Sequence, residues 1–90
     1  MEFEWDEGKD AANRAKHGVS LAEAARMDWT GISGQDLRHD YGEERFLTYL
    51  LQGNRLYICI FALRNGSVRI ISLRKANARE ERRYGTLTAT

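Results

Sequence analysis

The sequence predicts an α+β fold: a small antiparallel sheet of three to five strands, with two helices before it and one after it. Three observations carry this. Arg55 to Leu63 is an apolar run in which Leu56, Ile58 and Ile60 alternate with Tyr57, Cys59 and Phe61, the pattern of a strand covered on both faces. Asn65-Gly66 follows directly, and this pair supplies the two positive φ angles of a type I′ hairpin turn. Asp6, Ser20 and Asn77 each stand where a helix N-cap belongs. Ninety residues make one domain, residues 1–90. A chain of that size buries only roughly 60–65% of its unfolded surface, so its core is small.

Phe3 to Trp5 is expected as a short first strand. A helix starting after Asp6 places Lys9, Asn13, Lys16 and His17 along one polar face. Ala11, Ala12 and Ala15 make its other side small, which favours close packing there. Gly18 suits the left-handed position after the helix, behind a basic last turn. Ser20-Leu-Ala-Glu23 matches a capping box, with Val19 and Ala24 as its hydrophobic staple, so a second short helix is expected from Ser20 to about Met27. Trp29 anchors its exit. Residues 30–43 are rich in Gly, Ser and Asp and read as one ragged strand followed by a loop around Asp36 to Gly42.

Arg45 to Leu51 is the next strand, and Gly53-Asn54 turns it into Arg55 to Leu63. Ser67 to Arg74 returns from the hairpin. Strict alternation would put Val68, Ile70, Ser72 and Arg74 on one face and Arg69, Ile71 and Leu73 on the other. Asn77 and Glu80 form a second capping box, and Tyr84-Gly85 is read as the end of the last helix, leaving Thr86 to Thr90 loose.

Charge is unevenly placed. Residues 1–44 carry five Lys or Arg and eleven Asp or Glu, a balance of −6, whereas residues 45–90 carry nine and two, a balance of +7. The acidic half faces a basic partner or the basic half of its own fold, and the basic half suits a polyanion. No apolar run reaches the roughly 18–20 residues of a membrane span, and the acidic start lacks the pattern of a signal peptide. A cytoplasmic location with no membrane partner is expected. The lone Cys59 lies in an apolar run and reads as a buried, inert thiol.

His17 and His39 are the only histidines, and neither His-x₃-His nor Cys-x₂-Cys spacing occurs, so no metal and no cofactor is expected. Cleavage of RNA by its own 2′-OH remains. It needs a base for that proton, cations for the phosphorane charge and an acid for the leaving oxygen. Arginine suits the second role through its planar fork. The stretch from Arg69 to Tyr84 supplies six cations, Arg69, Arg74, Lys75, Arg79, Arg82 and Arg83. The junction of its strand and helix gathers Arg74, Lys75, Arg79 and Glu80, which with His17 are the candidate catalytic residues. Lys16, Arg64, Arg69, Arg83 and Tyr84 are the candidate RNA contacts, with Arg64 at the far end of the hairpin from Arg74. Each has a plainer reading. Arg79 and Arg83 can solvate a helix face, Glu80 can serve only as a cap, and Tyr84 can staple the helix to the sheet. His17 can simply compensate the helix dipole. Tyr41, Tyr49 and Tyr57 suit base stacking or core packing.

Three blocks carry a resemblance. They are Phe3-x-Trp5-Asp6-x-x-Lys9-x-x-x-Asn13-x-x-Lys16-His17-Gly18-Val19-Ser20, then Gly42-Glu43-Glu44-Arg45, then Arg69-Ile70-Ile71-Ser72-x-Arg74-Lys75-Ala76 with Glu80 or Glu81, Arg82 or Arg83, and Tyr84 beyond. Together they resemble the BrnT family, the toxin half of BrnT–BrnA toxin–antitoxin pairs. The resemblance implies a RelE-superfamily-like fold and a metal-independent endoribonuclease that inhibits translation. It also implies neutralisation by a BrnA-like antitoxin, DNA contact only through that antitoxin, and a higher-order toxin–antitoxin complex. The chain departs from the family pattern at Leu21-Ala22, where relatives often read Phe-Glu, and at Leu63, where many carry a glutamate. That second departure leaves Glu80, Lys75 or His17 as the base. The alternative reading is a non-catalytic RNA- or protein-binding module with a BrnT-like fold.

Overall fold

Asp6 starts the first helix as expected. Its carboxylate accepts from the Lys9 backbone N–H at 2.9 Å, and helix α1 runs Glu7–His17 to Gly18, which takes φ 74°. The structure is a computed structural model describing residues 2–37 and 42–89. His39, Tyr41 and the middle of the loop around Asp36 to Gly42 lie outside the described residues. Before α1 comes strand β1, Glu2–Glu4, one residue earlier than expected at each end. After it come a 3-10 helix, Leu21–Arg26, and strands β2 (Asp28–Gln35), β3 (Phe46–Gln52), β4 (Arg55–Arg64) and β5 (Ser67–Lys75). Helix α2, Ala78–Thr88, closes the chain.

The five strands form one sheet in the order β1-β5-β4-β3-β2. Its β4, the two-sided apolar run, sits in the middle. The turn between β4 and β5 has Asn65 at φ 48° and Gly66 at φ 83°, the two positive angles that the Asn-Gly pair was read for. The sheet is mixed rather than antiparallel, because β1 pairs in parallel with Ser67, Val68 and Arg69 of β5. Propensity could not show this: β1 joins the sheet at its edge, next to a strand more than sixty residues away.

Two apolar layers flank the sheet. On one face Leu50, Tyr57, Cys59, Val68, Ile70 and Leu73 pack against Leu21 and Ala24 of the 3-10 helix, with Trp29 among Phe3 and Phe61 at centroid distances of 5.5 and 5.3 Å. The Trp29 indole N–H reaches the Ala24 carbonyl at 2.9 Å, so it does anchor the exit of that helix. On the opposite face Tyr49, Leu56 and Ile58 meet Ala76, just ahead of α2, and Tyr84 within it. Burial lifts the Cys59 thiol pKa to about 12, which makes it the inert core group expected.

Four expectations are corrected. Ala11, Ala12 and Ala15 are exposed, and α1 instead buries its polar face through Asp10 and Asn13. The short helix is 3-10, and the Ser20 hydroxyl accepts from Ala22 N–H and donates to Asp10 rather than closing a box with Glu23, whose carboxylate lies 3.6 Å from Arg26. The pairing of β4 with β5 shifts by one residue between Ile60 and Phe61, so Ile71 is a bulge. Below it Val68 and Ile70 share the α1 face. Above it Leu73 does, and Ser72 and Arg74 turn to the α2 face together with Arg69. Finally, α2 runs through Gly85 to Thr88, with Ala89 N–H bonded to the Gly85 carbonyl and the Thr88 hydroxyl donating to the Tyr84 carbonyl at 2.8 Å.

Candidate functional site

The parallel pairing of β1 stops at Arg69, and α1 takes over the outer edge of β5 beyond it. Asn13 does this with its amide. Its Nδ2 donates to the Leu73 carbonyl at 2.8 Å and to the Val19 carbonyl at 2.9 Å, and its Oδ1 accepts from Leu73 N–H at 3.2 Å. A primary amide thus stands in for the backbone of a missing neighbouring strand. Asp10, one turn earlier, accepts from Leu21 N–H at 2.7 Å and Ser20 Oγ at 2.9 Å. These hydrogen bonds hold its carboxyl below its ordinary pKa of 3.8. Together the two residues fix the height and rotation of α1 on the sheet.

That placement opens a cleft of about 280 Å³ between α1 and β5, lined by Lys9, Asn13, Lys16 and His17 from the helix and by Ile71 and Ser72 from the bulge. Burial lowers the pKa of His17 below its usual 6.5, and the charges of Lys16 and Arg74 add to this. The imidazole is therefore biased toward its neutral, proton-accepting form in a wall of cations. Lys9, at i−7 from Lys16, shares this face, yet it is absent from the candidate set read from the sequence. Its position along the polar face of α1 was the signal for it. Ser72 was hidden by the bulge.

Behind His17 stands a clasp. Arg74 donates from its two terminal nitrogens to the two oxygens of Glu80, each at 2.7 Å. Glu80 Oε1 also accepts from Asn77 N–H at 2.9 Å, and Asn77 Oδ1 accepts from Glu80 N–H at 2.8 Å, completing the capping box. Glu80 thus joins the strand end to the start of α2. Its carboxylate, bonded to a guanidinium on both oxygens, is poorly set up to take a proton from substrate.

The other candidates are dispersed. Lys75 and Arg79 are exposed on either side of the strand–helix junction. Arg83 points along α2 toward β2 and β3, where it lines a separate groove. Tyr84 packs on Tyr49 with centroids 5.2 Å apart, as a staple would. Arg69 is 3.6 Å from Glu4, and Arg64 is 3.4 Å from Glu43 at the hairpin end of the sheet, remote in register from Arg74. Tyr49 and Tyr57 are core residues. Among the described residues no group of three or more His, Cys, Asp or Glu could hold a metal ion, and no helix is long and apolar enough to cross a membrane.

Comparison with curated proteins gives no match. The model of one family does match, and it covers residues 5–80, from Trp5 at the entry to α1 through the cleft to Glu80 of the clasp. The chain therefore belongs to the BrnT family, the ribonuclease toxins of type II toxin–antitoxin systems.

Proposed function

We propose that the chain is an endoribonuclease that works without a metal and that the α1–β5 cleft is where it cuts. The observation that carries this reading is a histidine biased toward neutrality in a cleft lined by lysines. His17 accepts the proton of the attacking 2′-OH. Lys16 and Lys9 hold the phosphate oxygens as negative charge builds on them, and the Lys16 ammonium is the donor for the departing 5′ oxygen. Glu80 acts on Arg74 rather than on RNA: it holds the guanidinium beside His17, where its charge favours the free base. Translation stops as RNA is cut. A BrnA-like antitoxin that binds DNA neutralises the toxin, and the two chains form the larger complex.

The test uses the purified chain and a short RNA in EDTA. Cleavage with 2′,3′-cyclic phosphate ends is expected, and His17→Ala is expected to lower the rate roughly 10²–10⁴-fold, the range for a general base. RNA that is bound in a salt-sensitive way and stays intact would establish the non-catalytic module instead.

A further inference from the structure

The edge of the sheet farthest from the cleft is unlike a protected sheet edge. Strand β2, the last in the order, reads Asp-Trp-Thr-Gly-Ile-Ser-Gly-Gln; it has one charge, at its start, and no lysine or proline to discourage pairing. Asp28 and Trp29 pair with Leu51 and Leu50 of β3, the strand bulges between Trp29 and Ser33, and hydroxyls occupy the gap: Thr30 Oγ1 donates to the Tyr49 carbonyl and Thr48 Oγ1 to the Ile32 carbonyl. Regular pairing resumes at Ser33, and Asp36 N–H bonds inward to the Arg45 carbonyl at 2.7 Å. By the alternation of an antiparallel ladder, Gly34 also bonds inward, and the backbone groups of Ser33 and Gln35 face outward. Ser33, Gly34 and Gln35 are all exposed.

Beside this edge, on the α2 face, lies a groove of about 320 Å³ floored by Ile32, Leu47 and Tyr49 and walled by Arg83 and Leu87. Leu87 is 49% exposed. Arg79, Arg83 and Leu87 succeed one another at i, i+4 and i+8 along α2, so the wall presents a stripe of two cations and one apolar side chain. Among the described residues no acid lines the groove. A second copy of the chain would bring the same arginine stripe against it. The groove favours an occupant that is extended and carries both apolar and acidic side chains at alternate positions, on the one face turned toward α2.

We propose that β2 and this groove receive a strand of the antitoxin, which extends the sheet, buries apolar side chains over Ile32 and Leu47 and places carboxylates against Arg79 and Arg83. This rests on the family assignment for the existence of the partner. It places the anchor three strands from β5, separate from the cleft. Two variants test it. Gly34 lies at an ordinary backbone angle and a Cβ there meets nothing within 4 Å, so Gly34→Phe fills the groove without strain. Leu87→Glu sets an acid where acids should dock. Each is titrated against the co-encoded antitoxin chain, with RNA cleavage by the free toxin measured on the same preparations. Binding weakened at least tenfold with cleavage unchanged is expected, as is amide-exchange protection of Ser33 and Gln35 in the wild-type complex. Wild-type affinity in both variants overturns the proposal. So does a free toxin that is dimeric and becomes monomeric on Gly34→Phe, which would make a second copy the occupant. If no preparation cuts RNA, the cleavage reading fails, while the affinities still decide the docking surface.

Discussion

Replacing Asn13 by alanine should be among the most damaging single changes to this chain. Asn13 is only 6% exposed and satisfies three backbone groups, the N–H and C=O of Leu73 and the C=O of Val19. The two Leu73 contacts are buried, and each group left without a partner costs about 1–3 kcal/mol. The Val19 contact, partly solvated, adds less. A loss of about 3–4 kcal/mol follows, against a total stability of about 5–13 kcal/mol for a domain of this length. Urea unfolding followed by circular dichroism measures it. A loss below about 1 kcal/mol would mean that water replaces the amide easily, and the account of α1 as a surrogate strand would be wrong. Asn13→Asp separates donors from acceptor. It keeps an oxygen for Leu73 N–H but turns a carboxylate toward two carbonyls. That variant should be weakest at neutral pH and recover part of its stability as acid protonates the new side chain.

Three further outcomes are expected. Glu80→Gln keeps a capping-box side chain but removes the charge facing Arg74, so it should lower stability by about 1–2 kcal/mol while leaving α2 helical; the pair is a fifth to a third exposed, which keeps the loss modest. If Glu80→Gln and wild type have equal denaturation midpoints, the clasp contributes nothing beyond the cap. His17 titrated by NMR should show a pKa below 6.5, and Lys16→Ala should move it upward, with the acid limb of RNA cleavage following the same shift. Asp10 has a folded pKa below its ordinary 3.8, so its contribution is complete above about pH 4 and disappears as the pH falls toward the folded value; Asp10→Asn should flatten the acid limb of a stability–pH curve.

What was legible in the sequence was local. Asp6, Gly18, the Asn65-Gly66 turn and the Asn77–Glu80 box each depend on residues within four positions, and each forms as read. The parallel seat of β1, the Ile71 bulge and the polar packing face of α1 depend on partners far along the chain. Asn13 and Leu73 are sixty positions apart, and no periodicity marks an amide as a strand edge. The alanines misled because small size predicts close packing only where something lies against it. At the proposed site, the sequence reading named His17 and Lys16 but gave most weight to the basic stretch at its end. His17 and Lys16 meet that stretch through Arg74 only because the sheet edge brings α1 there. Glu80, a candidate base by sequence, is committed to Arg74 and to its own helix cap.

Helix α2 buries no residue, and its main attachments to the sheet are Glu80 at its first turn and Tyr84 near its middle. Such an element belongs to the low-energy end of the opening spectrum. Its amides should exchange with solvent through a sub-global opening that leaves β3, β4 and β5 intact. Each opening takes Glu80 away from Arg74 and swings the groove wall of Arg83 and Leu87 outward. The electrostatics around His17 and the shape of the groove on the far side of the sheet are then two readings of a single equilibrium, set by how firmly one terminal helix stays down.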